Sequence, residues 1–331
     1  AVEHAEPNYI ARSCAFPNDP YFNRQWGLHN DGSKPPGLPP GTVWNGKPDA
    51  DIDAPEVWDI ETGSDDIVVA IVDTGIDWHH ADLDDRIWGN VDEVPDNGVD
   101  DDGNGFIDDA RGWDFVSEDN NPMDGDLARH GTGVASIVGA EANNNTGMVG
   151  LDWHARLMPV RVVGFLGAQY SNVAQGVYYA ANNGARVINM SLGGPVFGET
   201  TLKPAVDYAY GLNCVIVAAM GNDNSDETQY PAGYENTIAV GATGPDDKRA
   251  VPFLDGEPPG SNYGDHLDVV APGNWIIVAA GALQGYYAWA GGTSASAPLV
   301  SGLASLLLAQ NPGRTNDQIR QIIRQTAEDQ V

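Results

Sequence analysis

The chain has 331 residues, with 47 Asp or Glu against 16 Lys or Arg and a formal net charge of −31. That balance excludes a nucleic-acid binder and an anionic-membrane binder, because both need a basic face to meet phosphates. No apolar run reaches the ~18 residues of a membrane span, so a globular chain with a large core and no membrane insertion is expected.

Residues 1–12 carry neither the basic start nor the apolar stretch of a leader. Residues 31–48 are rich in Gly and Pro and read as an exposed loop. From residue 67 onward, short runs that are apolar on both faces alternate with segments of helical spacing. Strands are predicted at 67–72, 157–163, 187–191, 214–219, 237–241 and 267–271. Helices are predicted at 130–142, 171–182, 202–210 and 294–310, the last with Leu299, Leu303, Leu306 and Leu307 on one face. A second Gly/Pro-rich loop covers 251–262, and 315–327 reads as a closing amphipathic helix. The fold class is α/β: a doubly wound, mostly parallel sheet with helices on both faces, its crevice beyond the carboxyl ends of the strands. Of the two cysteines, Cys214 reads as a buried strand thiol and Cys14 as incidental, in preference to one bridge between them.

The charge is not spread evenly. Residues 49–126 hold 26 acids and two bases, Arg86 and Arg111, a net of −24, which leaves −7 for the rest. Carboxylates packed this densely repel one another unless cations or water separate them. Within the cluster, Asp100, Asp102 and Asn104 stand at alternate positions, Gly105 is sixth, and Phe106 offers a carbonyl at the seventh, followed by Asp108 and Asp109. This is the first half of an EF-hand-like calcium loop. Position twelve is Arg111 where a bidentate Glu belongs, so Asp109, Asp96 or Asp114 is expected to close it.

Three polar residues sit where such a fold places reactive groups. Asp73 follows the strand at 67–72, His130 opens a helix within His-Gly-Thr-Gly, and Ser294 opens another after Gly-Gly-Thr. A serine hydroxyl is a poor nucleophile until an imidazole takes its proton, and a buried carboxylate holds that imidazole in the right tautomer. Asn222 ends the run 214–221, so its amide N–H can meet the oxygen of a tetrahedral intermediate together with the backbone N–H of Ser294. Singly these residues would be strand-end, turn and cap residues; their conjunction is what points to acyl transfer.

The stretches Val69-Ala-Ile-Val-Asp73-Thr-Gly-Ile, His130-Gly-Thr-Gly-Val-Ala-Ser, Asn189-Met-Ser-Leu-Gly-Gly194, Val217-Ala-Ala-Met-Gly-Asn222 and Gly292-Thr-Ser294-Ala-Ser-Ala-Pro298 resemble the subtilisin-like serine proteases, the subtilases, in that family's order of Asp, His and Ser. The resemblance spans roughly residues 17–327. It implies a serine endopeptidase of broad specificity, secreted and monomeric, with Ser294 as nucleophile, His130 as base then acid, Asp73 as its orienting partner and Asn222 as oxyanion donor. It implies protein or peptide substrates pairing with Ser191, Leu192, Gly193 and Gly194 on one side and with the segment from Gly164 on the other. Ala219, Met220, Gly221 and Gln229 would border the pocket for the residue before the scissile bond, Met220 and Gln229 narrowing or polarising it.

The same resemblance, to thermitase-like members, implies a calcium site with Asp19, Asp82 and Asn144 as side-chain ligands and Thr146 and Met148 as carbonyl ligands. Asp114, Asp119 and Asp124 are expected to form another before His130. Residues 1–14 resemble the tail of an inhibitory propeptide, with the catalytic domain at 15–331. Two departures stand out: Gly133 replaces the family's second His, and the usual Gly-rich closing segment is missing, so residue 331 reads as a fragment end. The acid-acting sedolisins share Gly-Thr-Ser-Ala-Ser, but Asn222 and the His130 motif speak against them. A narrowly processing or peptide-ligating member of the fold, and an inert calcium-dependent binding module, are the remaining alternatives; four filled catalytic positions disfavour the last.

Overall fold

The computed structural model describes residues 15–127, 129–195, 201–254, 256, 259–281 and 286–328. The expected propeptide tail, with Cys14, lies outside the described residues, as do positions 255, 257 and 258 of the second loop.

The strands are β1 (Val68–Asp73), β2 (Trp113–Asp114), β3 (Arg156–Arg161), β4 (Val163–Gly164), β5 (Gly167–Ala168), β6 (Val187–Met190), β7 (Val215–Ala219), β8 (Ile238–Thr243), β9 (Val269–Pro272), β10 (Asn274–Ala279) and β11 (Tyr287–Gly291). The helices are α1 (Ala54–Trp58), α2 (His130–Gly139), α3 (Tyr170–Asn182), α4 (Leu202–Gly211), α5 (Thr293–Gln310) and α6 (Asn316–Thr326). Seven strands form one parallel sheet in the order β2-β3-β1-β6-β7-β8-β9. The expected strands and helices are present within a few residues of their predicted bounds. Those not anticipated include the short helix α1, the two-residue β2, too short to show a pattern, and the antiparallel β10–β11 pair outside the main sheet.

Because successive side chains of a strand point to opposite faces, each buried strand feeds two cores. Val69 and Ile71 of β1 join Val217 of β7 against α2, α5 and α6, while Ala70 and Val72 join Ile216 and Ala218 against α3 and α4. Fully burying a side chain such as Ile71 contributes about 1.5–3 kcal/mol. α6 is held at its start by a reciprocal capping box between Thr315 and Gln318. Cys214, buried before β7, donates its thiol to the Ala185 carbonyl, and burial pushes that thiol up to about 11, leaving it inert. No helix among the described residues is long and apolar enough to cross a membrane.

The chain leaves β1 toward β3 on one side and returns to β6 on the other, so the sheet has its switch point between β1 and β6. Ligands of such sheets bind outside the carboxyl ends of the strands at that point. Asp73 is the last residue of β1, Ser191 follows β6, and Asn222 stands three residues beyond β7.

Candidate active site

Asp73 is 1 % exposed, and its Oδ1 meets His130 Nδ1 at 2.7 Å while also accepting the Thr74 N–H. The Thr74 hydroxyl accepts the Gly131 N–H (2.8 Å), which ties the end of β1 to the first turn of α2. The adjacent carboxylate pushes the His130 imidazole up to about 9, against the lowering effect of its burial. Ser294 Oγ donates to the Ser191 carbonyl at 3.2 Å.

α2 begins at His130 because Asp124, itself 1 % exposed, accepts both the N–H (3.0 Å) and the hydroxyl (2.7 Å) of Thr132. Gly133 lies against β10: a Cβ there would stand 3.3 Å from Val278 Cγ2 and 3.4 Å from the Ala279 carbonyl. Glycine at this departure from the family pattern thus lets α2 lie close against β10.

Ser294 sits in the first turn of α5, whose entry is fastened by Asn222. Asn222 Oδ1 accepts the N–H (2.8 Å) and hydroxyl (3.0 Å) of Thr293, so its Nδ2 is the end turned to the crevice beside Gly292. Ser191 Oγ donates to the Ser294 carbonyl (3.0 Å) and accepts from Asn189 Nδ2 (3.0 Å), and Asn189 Oδ1 accepts the Ser301 hydroxyl. Asn189 and Thr293 are positioning residues that the sequence reading did not single out. A polar Asn inside the otherwise apolar β6 was the available signal.

Gly193, Ala219, Gly221 and Gln229 converge beside this crevice. A Cβ on Gly193 would lie 3.6 Å from Gln229 Oε1 and 3.8 Å from the Ala219 carbonyl, and one on Gly221, whose φ is +103°, would lie 3.0 Å from Gln229 Cδ. Gln229 Nε2 donates to Asp223 at 2.6 Å, which makes this recess polar. Gly194 bridges to Tyr230, and Leu192 packs partly buried beside the α3/α4 core. Gly164 pairs with Gly167 in the β4–β5 hairpin and faces Val116. Met220 does not line the recess: it is fully buried in the α3/α4 core, because the pleat that turns Ala219 to one face turns Met220 to the other.

The acidic residues divide into three groups. Asp19 and Asp82 are both buried, and the loop 143–148 wraps them. Asp19 accepts the Asn143 and Asn144 N–H groups, and Asp82 accepts Asn144 Nδ2, the Met148 N–H and the Tyr287 hydroxyl. Thr146 donates its N–H to Asn144 Oδ1, so all five expected ligand residues come together. Burial, and then the Asp82 charge, push the Asp19 carboxyl up. Two buried carboxylates without an ion-pair partner among the described residues fit a divalent cation.

In the loop, Asn104 donates to Asp102 and Asp109, the Phe106 N–H donates to Asn104, and Asp108 accepts the N–H groups of Asn97 and Gly98. Of the three residues expected to close it, Asp109 accepts from Tyr179, Asn90 and Asn104, and Asp114 pairs instead with Arg161. Among the described residues, the one group of three metal-ligating side chains is Glu93, Asp100 and Asp102, with ligand atoms within 4.8 Å of one another. The third expected site is not assembled. Asp114 is neutralised by Arg161, Asp119 accepts the Asn121 N–H, and Asp124 caps α2.

A doubly wound sheet that delivers a bonded carboxylate–imidazole pair and a helix-start serine to one crevice defines an α/β serine hydrolase. Residues 64–331 match the model of the subtilase family, and the chain belongs to that family. It is 39 % identical over 329 residues to a thermophilic serine proteinase of Bacillus sp. (strain AK1), covering 99 % of this chain and 68 % of that protein. It is 38 % identical to thermitase of Thermoactinomyces vulgaris over 314 residues, covering 94 % of this chain and 91 % of that one. Among solved structures, a protease from Pseudoalteromonas arctica PAMC 21717 aligns with a TM-score of 0.71 and 30 % identity, covering 95 % of this chain and 93 % of that one. The chain is a serine endopeptidase.

Proposed function

We propose that Ser294, His130 and Asp73 are the catalytic triad of a broadly specific, secreted endopeptidase stabilised by calcium. The observation that carries this reading is the 2.7 Å bond between Asp73 and His130 in the crevice that also holds Ser294. Ser294 Oγ attacks the substrate carbonyl as His130 Nε2 takes its proton; the same proton then passes to the leaving amine, and water releases the acyl group by the reverse sequence. Asp73 keeps Nδ1 protonated and the ring in place. Asn222 Nδ2 and the Ser294 N–H receive the developing oxyanion, preorganised because Thr293 already fixes the Asn222 amide.

Substrate backbone would pair with the 191–194 segment, which fixes register without reading sequence. The polar Asp223–Gln229 floor supports acceptance of polar as well as apolar side chains before the scissile bond. The cation supplies charge balance to buried carboxylates and takes no part in the chemical steps; Asp19, Asp82, Asn144 and the carbonyls of Thr146 and Met148 would hold one. The loop bearing Asp100, Asp102, Asn104 and Phe106 would hold another. Secretion, an inhibitory propeptide and a monomeric state are carried over from the family resemblance.

The test is an active-site organophosphonate, followed by hydrolysis of a mixed peptide pool. Labelling at Ser294 and new termini without joined products are expected, with at least ~10³-fold loss in Ser294→Ala. Equal turnover by Ser294→Ala refutes the triad, and joined products would favour a ligating member of the fold.

A further inference from the structure

Glu93 lies seven residues before Asp100, outside the ten-residue pattern that marks the acidic loop. It is 5 % exposed, an unusual place for a glutamate without a cation beside it. Its Oε1 accepts the N–H groups of Asp101 (2.8 Å) and Asp102 (3.1 Å), which locks the side chain over the start of the loop. Its Oε2 is buried and has no hydrogen-bond partner. The carboxylates of Glu93, Asp100 and Asp102 offer ligand atoms within 4.8 Å of one another, and none of the three has an ion-pair partner among the described residues.

The loop backbone points Asp100 and Asp102 to the same place. Asp100 accepts the Asn104 and Gly105 N–H groups, Asp102 accepts the Asn104 N–H, and the intervening Asp101 turns away to Val94 and Asn97. Three converging anions, one with a buried and unpartnered oxygen, lack the positive charge that buried carboxylates require. Oxygen-only ligands of this irregular arrangement suit calcium, which accepts six to eight oxygens in flexible geometry, better than magnesium, which demands a near-ideal octahedron.

We propose that Glu93 is a ligand of a calcium site formed with Asp100 and Asp102, closing the loop from its upstream side in place of the glutamate that Arg111 displaces at position twelve. The inference rests on the calcium-loop reading above and adds the ligand that reading lacks. The site joins the two legs of the 93–102 excursion. Through Asn90, which donates to both Asp102 (3.0 Å) and Asp109 (2.9 Å), and Asp109, which accepts the Tyr179 hydroxyl (2.6 Å), it fastens the excursion to α3.

The experiment uses the full chain carrying Ser294→Ala to stop self-digestion, stripped with chelator and titrated calorimetrically with calcium alone. In this background Glu93→Gln keeps the oxygen that accepts the Asp101 and Asp102 N–H groups and removes only the charge, so folding, checked by circular dichroism, is retained. Glu93→Gln and Asp102→Asn are each expected to weaken one calcium site at least tenfold while Asp82→Asn affects a different one; Glu93→Asp, a methylene shorter, falls between. A Glu93→Gln isotherm equal to the parent's, with Asp102→Asn still losing a site, overturns Glu93 as a ligand and leaves the loop reading standing. Parent-like isotherms for both variants overturn the loop reading and the inference together.

Discussion

Tyr179→Phe isolates the link between the acidic excursion and α3. Tyr179 is 1 % exposed, Asp109 is fully buried, and their 2.6 Å bond is the shortest of the three side-chain bonds that Asp109 accepts, ahead of Asn90 at 2.9 Å and Asn104 at 3.2 Å. Phenylalanine keeps the ring that packs on Phe106 and Phe115, so little cavity forms and the loss is confined to the hydroxyl. A hydrogen bond to a charged group contributes ~1.5–3 kcal/mol; taking ~2 kcal/mol and an unfolding entropy of ~2.1 cal/mol/K per residue, the melting temperature falls about 3 °C. Burial pushes the Asp109 carboxyl up, and Tyr179 opposes that rise. A carboxyl raised above its unfolded value loses stability as pH rises through its folded value, so removing the donor costs most when Asp109 is ionised and least when it is protonated. Denaturant melts of the Ser294→Ala background in saturating calcium, at pH 8 and at acid pH, with Asp109→Asn completing a double-mutant cycle, read the coupling directly. A coupling below ~0.5 kcal/mol at pH 8, or a cost that does not shrink in acid, refutes the assignment.

Three further outcomes are expected. The acid limb of kcat/KM should lie above the ordinary histidine value of 6.5, displaced toward about 9 by Asp73, because only the neutral imidazole can take the Ser294 proton; a midpoint at or below 6.5 in the pH–rate profile contradicts that placement. Asn222→Ala should lower kcat by roughly 10²–10³-fold with KM little changed, and a comparable rise in KM would mean that the amide binds the ground state instead. Chelation should lower the melting temperature in proportion to the logarithm of the calcium removed, and Asp82→Asn should blunt that response; a melting temperature indifferent to chelator excludes structural cations.

The groups whose chemistry depends on a local frame were legible in the sequence. Asp73, His130, Asn222 and Ser294 each stand at an element boundary marked by glycine and by an apolar run, and their strands and helices formed where the periodicity placed them. What escaped was set by distance or by the pleat. Met220 was assigned to the pocket because its neighbours belong there, yet alternation along the end of β7 sends it into the opposite core. Asp114 looked like a ligand until Arg161, 47 residues away, claimed it across the β2–β3 edge. Glu93 stood outside a motif that is read forward from Asp100, and its approach from upstream depends on how the excursion folds back. Acid density announced that cations were needed without saying which carboxylates share one.

The contact at Gly133 has a consequence for how the enzyme can vary. α2 carries His130, and β10 pairs with β11, which runs directly into Ser294. At Gly133 the Val278 side chain and the Ala279 carbonyl of β10 close on the α2 backbone, and Ser136 stitches the seam by donating to the Gly133 carbonyl (2.7 Å) and accepting the Ala279 N–H (3.0 Å). The spacing of the two carriers is thus set by the α2 backbone on one side and by Val278 and the Ala279 carbonyl on the other. A larger residue at 133 would act as a shim between the carriers, pressing first on Val278 and the Ala279 carbonyl.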